Sequence, residues 1–349
     1  RIGRNFAAIL RRMPHEPLAG PCGTRHTTRT RGDGDAAHQY LDTVTRTAAT
    51  AVAIVVALAG LVAAQDSSGV QVADIYRLRS VGDVQLSPDG ARVAYTISSS
   101  EGPGRPNTQI WVADVATGHS GRLGDETDSG RAPRWSPDST RLAYVGRSSE
   151  RAGLFIHDFR TSSTTYVGPI ESTNHPLPSS GERLSWSPDG KQLAFVSTTP
   201  GPEADANGDP MVITRYLYKP TATEGETRFN DNRRTHIFVA DALTRQIRQL
   251  TSGNYYEHSI DWSPTSDEIL FVSNRGPDPD RFFNYDIFAV DAASGRVRRL
   301  TDTKSAEYYP KWSPDGRSIA FAGTTRHLTS SETTMEDTHA WVMNPDGTG

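Results

Sequence analysis

The sequence predicts an all-β fold assembled from a repeated unit, and three observations support that prediction. First, a phrase of an aromatic residue or leucine, then Ser-Pro and a polar turn, occurs five times. Second, the serines of this phrase, at positions 87, 136, 187, 263 and 313, lie 49, 51, 76 and 50 residues apart. Third, an apolar run of strand length follows each copy. Strands and tight turns repeated at a period of about 40 to 50 residues are typical of a β-propeller with four-stranded blades. We expect five to six blades, which form an incomplete ring.

The N-terminal residues differ from the repeats and are expected to lie outside the propeller. Residues 1–46 carry eight arginines against four acidic residues and no sustained hydrophobic period, which predicts a disordered basic extension. Residues 47–64 contain an uncharged run that follows Arg46 and ends in small residues, which predicts a secretory signal peptide cleaved after Ala64. An uncleaved signal anchor, the only membrane contact that we expect, is the alternative. In both cases the propeller, 65–349, is expected to be exported to the periplasm or secreted.

The repeated phrase is expected to form a turn that reverses the chain into the next strand. Proline at the second position of a type I turn fixes φ near −65°, a polar residue follows, and glycine often closes the turn. The bulky residue before the serine recurs at the same register, so packing between neighbouring blades is favoured over a stacking surface for sugars or bases. The residues assigned to these turns and packing positions are Ser87, Pro88, Asp89, Trp135, Pro137, Trp186, Pro188, Trp262, Pro264, Trp312 and Pro314.

Each period is expected to hold further short strands joined by tight turns. In the fourth period these are 269–272, 286–291 and 296–301, and Gly295 supplies the positive φ of a hairpin turn.

The long spacing between the third and fourth copies indicates an insertion at about 199–234. Insertions on a rigid scaffold frequently carry function. Asp205, Asn207 and Asp209 match the first alternate ligands of a calcium loop, but Pro210 and Tyr216 stand where that loop needs glycine and glutamate. We therefore favour an acidic solvated loop without a metal.

Composition and motifs exclude several classes of function. The net charge of −4 provides no basic field for nucleic acid. The single cysteine, Cys22, excludes an internal disulfide framework and a cysteine-based zinc site. The sequence contains no His-Glu-x-x-His pattern, no phosphate-binding glycine loop and no Gly-x-Ser-x-Gly nucleophile elbow. We therefore expect no catalytic residue, cofactor or metal in this chain.

Several stretches resemble a known family. Residues 72–84, which lead into the first Ser-Pro phrase, resemble the start of a propeller in the prolyl oligopeptidase (S9) serine peptidases. Residues 212–215 with 218–219, the segment 273–275 and the run 329–341 resemble the acylaminoacyl-peptidase and dipeptidyl-peptidase-like branch of that family. The repeats themselves resemble the WD40-like PD40 repeats that TolB-type proteins share with these peptidases.

The resemblance implies a function that depends on a second domain. In that family the propeller covers a C-terminal α/β-hydrolase domain with catalytic Ser, Asp and His, and it restricts the substrate to peptides. The chain starts without Met and ends at Gly349 inside a blade, so we expect a fragment of a longer oligopeptide-hydrolysing enzyme whose hydrolase domain is absent here. Arg215 and Tyr218 are candidates for facing the substrate cavity, and ordinary insertion-loop residues are the alternative. A TolB-like periplasmic propeller that binds proteins without catalysis is the second hypothesis.

Overall fold

The structure is a computed structural model that describes residues 72–100, 106–149, 151–174, 181–208, 210–218, 229–325 and 337–349. Contacts divide the chain into two units, Arg1–Val70 and Gln71–Gly349. The predicted basic extension and signal segment lie outside the described residues, so both stay predictions. Within the described ranges, no helix is long and apolar enough to cross a membrane.

The described part of the second unit is nearly all β and forms five antiparallel sheets, which we number as blades 1 to 5 in chain order. A short helix, α1 (Val72–Ile75), precedes them. Blade 1 contains β1 (Arg79–Leu86), β2 (Arg92–Ser99), β3 (Asn107–Asp114) and β4 (Ser120–Arg122). Blade 2 contains β5 (Ser129–Trp135), β6 (Arg141–Ser148), β7 (Arg151–Asp158) and β8 (Ser163–Gly168). Blade 3 contains β9 (Leu184–Trp186), β10 (Gln192–Pro200), β11 (Arg233–Asp241) and β12 (Ile247–Gln249). Blade 4 contains β13 (Glu257–Trp262), β14 (Glu268–Ser273), β15 (Asp286–Asp291) and β16 (Val297–Arg299). Blade 5 contains β17 (Glu307–Trp312), β18 (Ile319–Thr324) and β19 (Thr338–Met343).

These sheets confirm the predicted all-β propeller fold. Each blade is a meander in which strands neighbour one another in chain order. Blades 1 to 4 have the expected four strands, and blade 5 has three among the described residues. The first strand of each blade contacts the neighbouring blades, so we call these first strands the inner strands.

The repeated phrase forms the turn between the first and second strands of every blade. In blade 1 the amide of Gly90 donates to the carbonyl of Ser87 at 2.9 Å, which closes a turn around Pro88 and Asp89. The Ser87 hydroxyl donates to Asp89 Oδ1 at 2.6 Å, and this hydrogen bond lowers the pKa of the Asp89 carboxyl. The hydroxyl also accepts a hydrogen bond from the amide of Arg92, at 2.9 Å. The serine therefore bridges the turn and the strand that follows it.

The tryptophans of the phrase lie between blades. The indole nitrogen of Trp135 donates to the carbonyl of Gln85 at 3.0 Å, Trp186 donates to Arg134 at 2.9 Å, and Trp262 donates to Ser185 at 3.1 Å. In each case the acceptor is the residue just before the aromatic residue or leucine of the preceding blade. Trp312 breaks this series, because its buried indole nitrogen has no hydrogen-bond partner.

Apolar side chains of adjacent blades pack around these tryptophans. Trp262, for example, shares one buried cluster with Val196 and Ile237 of blade 3 and with Ile269 and Phe271 of blade 4. Most of the hydrophobic core therefore lies between blades, where the flat faces of successive sheets meet.

The inner strands contain a repeated irregularity that the sequence analysis did not predict. Four of them have a β-bulge at which a non-glycine residue adopts positive φ: Asp83 (42°), Ala132 (53°), Ser259 (57°) and Tyr309 (54°). Each of these residues stands three positions before the aromatic residue or leucine of the phrase. Bulges increase the local twist and redirect side chains. The repeated bulge thus gives the inner strands a common bend.

Ion pairs join the inner strands of neighbouring blades. Arg134 contacts Asp83 of blade 1 at 3.0 Å and Glu182, beside blade 3, at 2.7 Å. Lys311 contacts Asp261 at 2.7 Å, which links blades 4 and 5. Burial raises the pKa of Asp261 even though Lys311 opposes that shift. These pairs hold successive inner strands at a fixed spacing.

Candidate functional site

The two faces of the propeller differ in the connections they carry. One face, which we call the turn face, carries the five Ser-Pro turns and the hairpins between third and fourth strands. The opposite face, the loop face, carries the connections between second and third strands, and these vary in length. The longest of these connections, which the structure describes in part, runs from 201 to 232 and contains most of the predicted insertion. Variable loops on a uniform scaffold favour the loop face as the functional surface.

The structure places Arg215 in a buried contact between the insertion and blade 4. Its side chain is 9 % exposed and forms a bidentate ion pair with Asp280, with Nε 2.9 Å from Oδ2. Its Nη1 donates to the Tyr256 hydroxyl at 2.6 Å. Burial has the largest single effect and lowers the pKa of Arg215, but its interactions with Asp280 and Tyr256 together outweigh burial and raise the pKa. Arg215 therefore joins the insertion to blade 4.

Tyr218, the second candidate, lies at the surface of the same insertion. It is 44 % exposed, and its ring centroid is 6.3 Å from that of Phe229. Arg215 and Tyr218 border one narrow cleft with Met211 and Ile213. Of the two candidates, only Tyr218 presents its side chain to solvent.

A second arginine fixes the start of the insertion. Arg234 is 2 % exposed, and its Nη2 lies 2.5 Å from Glu203 Oε2. Its Nε donates to Asn254 Oδ1 at 2.6 Å, and its guanidinium stands 4.9 Å above the Tyr256 ring. Glu203 precedes the 3-10 turn at Ala204–Asn207, which contains two of the three residues that suggested a calcium loop. Among the described residues, no group of three or more His, Cys, Asp or Glu is placed to hold a metal ion.

Two buried glutamates occupy the same register in blades 4 and 5. Glu257 is fully buried and contacts Arg275 at 2.8 Å and His236 at 3.3 Å. Glu307, fifty residues later, is 3 % exposed and accepts hydrogen bonds from the hydroxyls of Thr303, at 2.6 Å, and Thr301, at 3.2 Å. Neither residue was predicted from the sequence, although each stands five positions before a phrase tryptophan.

The two glutamates differ in charge compensation. Glu257 has a guanidinium directly on its carboxylate. Burial raises the pKa of Glu307 to about 7, the hydroxyl of Thr303 opposes that shift, and the nearby carboxylate of Asp286 adds to it. Glu307 therefore changes charge near neutral pH while its counterpart holds an ion pair.

A cavity of about 570 Å³ opens on the loop face at blades 1 and 2. It is lined by the loop-face ends of β3, β5, β6 and β7 and by the segment after β8. Its polar wall includes Asn107, Ser129, Arg131, Arg147 and Ser172. This cavity was not predicted from the sequence, because its residues come from five separate segments.

Glycines allow the strands to form the floor of this cavity. Gly146 pairs with Gly130 on one side and with Gly153 on the other. A Cβ atom on Gly146 would lie 2.2 Å from the Ser129 carbonyl oxygen, and one on Gly153 would lie 2.1 Å from that of Gly168. Neither position accepts a side chain without moving a strand. Glycine therefore keeps the floor of the cavity flat.

The sequence is similar to several peptidases and, over a shorter stretch, to TolB. It is 25 % identical over 210 residues to the uncharacterized peptidase YuxL of Bacillus subtilis, a match that covers 58 % of this chain and 30 % of that protein. It is 29 % identical over 201 residues to dipeptidyl-peptidase 5 of Porphyromonas endodontalis, covering 54 % of this chain and 27 % of the relative. The Tol-Pal system protein TolB of Hahella chejuensis is 26 % identical over 91 residues, 26 % of this chain and 18 % of TolB.

The fold agrees with these matches. The Pyrococcus horikoshii acylaminoacyl peptidase superposes with a TM-score of 0.53 at 18 % identity, and the match covers 78 % of this chain and 39 % of that enzyme. No family model matches the chain. The matches extend over less than a third of the length of the curated relatives. The predicted resemblance to the propeller domain of S9 peptidases is confirmed.

Proposed function

We propose that this chain is the propeller domain of an exported S9 serine peptidase and that it restricts the enzyme to oligopeptides. The active site of such an enzyme lies in an α/β-hydrolase domain, which we expect elsewhere in the complete protein. There, a serine activated by histidine would attack the peptide carbonyl, and an oxyanion hole would stabilise the tetrahedral intermediate. The propeller would admit extended chains to that site and exclude folded proteins.

The observation that carries this proposal is the extent of the similarity to peptidases. Two peptidase relatives match 58 % and 54 % of the chain, whereas the TolB relative matches 26 %. Both peptidase matches are therefore longer than the combined length of any two successive blades. A repeat shared by all propellers would explain the TolB match, but it does not account for similarity that continues through most of the domain.

The geometry supports a restrictive role. Arg134 and Lys311 cross-link successive inner strands, so the blades that they join are braced against separation. Arg215 and Arg234 hold the insertion against blade 4. Loops fixed in this way would select a substrate by its width, since a folded domain cannot be accommodated without breaking buried ion pairs.

The test uses the complete reading frame that contains this chain. The purified protein is first treated with a fluorophosphonate probe, which labels activated serines. It is then assayed on acylated and dipeptidyl chromogenic peptides, and on one cleavable sequence presented as a short peptide, as a long unfolded peptide and within a folded domain. We expect labelling, cleavage of the peptides and no cleavage of the folded domain. Absence of both labelling and hydrolysis would leave the second candidate, a TolB-like binding propeller, which the match to TolB favours.

A further inference from the structure

The cavity on the loop face contains positive charge that the described residues do not neutralise. Arg131 and Arg147 line it, and both side chains are exposed. Arg183 stands just before β9, close enough to Arg131 for the two charges to interact. Among the described residues, no aspartate or glutamate lines the cavity. Glu171 lies between two lining residues but is exposed and is not part of the wall.

Several other arginines that bind the loops and inner strands have carboxylate partners. Within the described residues, Arg134 pairs with Asp83 and Glu182, Arg215 with Asp280, Arg234 with Glu203, Arg275 with Glu257, and Arg299 with Asp286. Arg131, Arg147 and Arg183 form no ion pair there, and their guanidinium groups donate no hydrogen bond. Arg141 and Arg233 also lack a carboxylate partner, but their guanidinium groups donate hydrogen bonds to Gly190 and Thr198. The guanidinium groups of Arg131, Arg147 and Arg183 are therefore available for a ligand.

Their proximity has an electrostatic consequence. Although Arg183 reaches solvent, the surrounding walls desolvate its guanidinium, and this lowers its pKa. The charge of Arg131 lowers the pKa of Arg183 further. An anion placed between the two guanidinium groups would relieve that repulsion and accept hydrogen bonds from both.

We propose that this cavity binds a carboxylate group of a peptide, with Arg131 and Arg147 in its wall and Arg183, which stands beside Arg131, as a further positive charge. The inference rests on the proposed function, and it adds that the preferred substrates carry a negative charge. Guanidinium groups match the planar geometry of a carboxylate and bind it through paired hydrogen bonds. The rest of the wall suits a peptide, because Val145 and Ile170 supply apolar contact while Asn107 and Ser129 supply amide and hydroxyl groups.

A peptide offers this carboxylate from two sources, its C-terminus or the side chain of an aspartate or glutamate. The experiment separates them with one peptide sequence in three forms. The first has a free C-terminus, the second is amidated, and the third is amidated but contains an internal glutamate. Binding of each fluorescently labelled peptide is measured by anisotropy on the complete protein, after the fluorophosphonate probe has blocked any reactive serine.

The variants are Arg131→Gln and Arg183→Gln, and the matched control is Arg317→Gln, an exposed arginine on the turn face. We expect Arg131→Gln and Arg183→Gln each to raise the Kd of a carboxylate-bearing peptide about tenfold, since one charge-assisted hydrogen-bonded contact is lost. The Kd of the fully amidated peptide is expected to stay unchanged, as is every Kd of the Arg317→Gln protein. Added salt should weaken wild-type binding of the charged peptides.

The outcomes distinguish this proposal from the proposed function. Equal Kd values for the free and amidated forms in the wild-type protein, with no internal-glutamate effect, would overturn the carboxylate site even if peptides are hydrolysed. Conversely, carboxylate-selective binding that depends on Arg131 and Arg183 would support the site even if no serine is labelled and no peptide is cleaved. Loss of binding to all three peptides in both variants would also overturn it, because it would indicate a structural role.

Discussion

Replacement of Glu307 by glutamine is expected to stabilise the protein above neutral pH and to have little effect in acid. Its pKa is about 7 in the folded state, compared with a usual value of 4.5. A raised pKa means that the folded state holds the proton more tightly than the unfolded chain does. The stability that this contributes is complete below pH 4.5 and is lost as the pH rises through about 7.

The magnitude follows from the size of the shift. Each pKa unit corresponds to about 1.36 kcal/mol, so ionising Glu307 in its buried position costs about 3 kcal/mol at pH 8. Glutamine imitates the protonated carboxyl and avoids this cost. The free energy of unfolding of Glu307→Gln should therefore exceed that of wild type by about 3 kcal/mol at pH 8, and by less than about 1 kcal/mol at pH 5.

The assay is urea unfolding at both pH values, followed by tryptophan fluorescence. Glu257→Gln is the matched control, because it makes the same change at the same register of the preceding blade. There the glutamate pairs with Arg275, so glutamine leaves a guanidinium without its buried partner and should destabilise the protein by about 3 kcal/mol at both pH values. An equal change at pH 5 and pH 8 for Glu307→Gln would refute the reasoning, since only a buried ionisation produces the difference.

Three further predictions concern contacts that position the blades and the insertion. Trp186→Phe should cost about 1 kcal/mol more than Trp312→Phe in urea unfolding, because only the Trp186 indole donates a hydrogen bond to the neighbouring blade. Arg215→Gln should destabilise the protein by about 3 kcal/mol, because Asp280 stays buried without its charge partner, and limited proteolysis should then cut between 201 and 232. The double variant Arg215→Gln/Asp280→Asn should recover part of the lost stability. A larger loss in the double variant would contradict the pairing of the two residues. Ser139→Ala should cost about 1 kcal/mol, because the Ser139 hydroxyl accepts a hydrogen bond from the Asp89 amide in the turn of the preceding blade. Ser139→Gly should be nearly neutral, since glycine relieves the strain of a φ of 60° at this position. Equal losses of stability for the two variants in thermal unfolding would show that the hydroxyl is unimportant.

The sequence predicted the parts of the fold that repeat without change. The phrase marked every first turn and the tryptophan between blades, because a proline and a large aromatic residue tolerate few replacements there. It did not reveal the inner strands as strands, since β5 contains Gly130 and Pro133 and lacks a clear apolar alternation. Such a strand forms because its neighbours pair with it and because a bulge absorbs the proline. The amino-acid sequence of a single strand does not show which other strands will pair with it.

The candidate site was harder to predict because its contacts join distant segments. Arg215 was predicted as a candidate for facing the substrate cavity, but its partner Asp280 lies 65 residues away, so nothing local in the sequence indicated their ion pair. Arg131 and Arg147 lie on blade 2 and Arg183 stands beside blade 3, and nothing in the chain order brings Arg131 and Arg183 together. Only the arrangement of inner strands side by side does so.

Comparison of equivalent positions explains why the inner strand of blade 2 supplies no carboxylate to the cavity. The residue five positions before the phrase aromatic is glutamate in blades 4 and 5, at Glu257 and Glu307, but glycine in blades 2 and 3, at Gly130 and Gly181. In blade 4 the glutamate and its partners fill the space at the loop-face end of the inner strand. In blade 2 Gly130 lines the cavity, and a Cβ atom there would lie 2.8 Å from Ile110, so a glutamate does not fit at this position unless Ile110 moves. Arg131, the next residue, therefore has no carboxylate at the register that supplies one in blades 4 and 5. A carboxylate from a ligand would supply that missing charge.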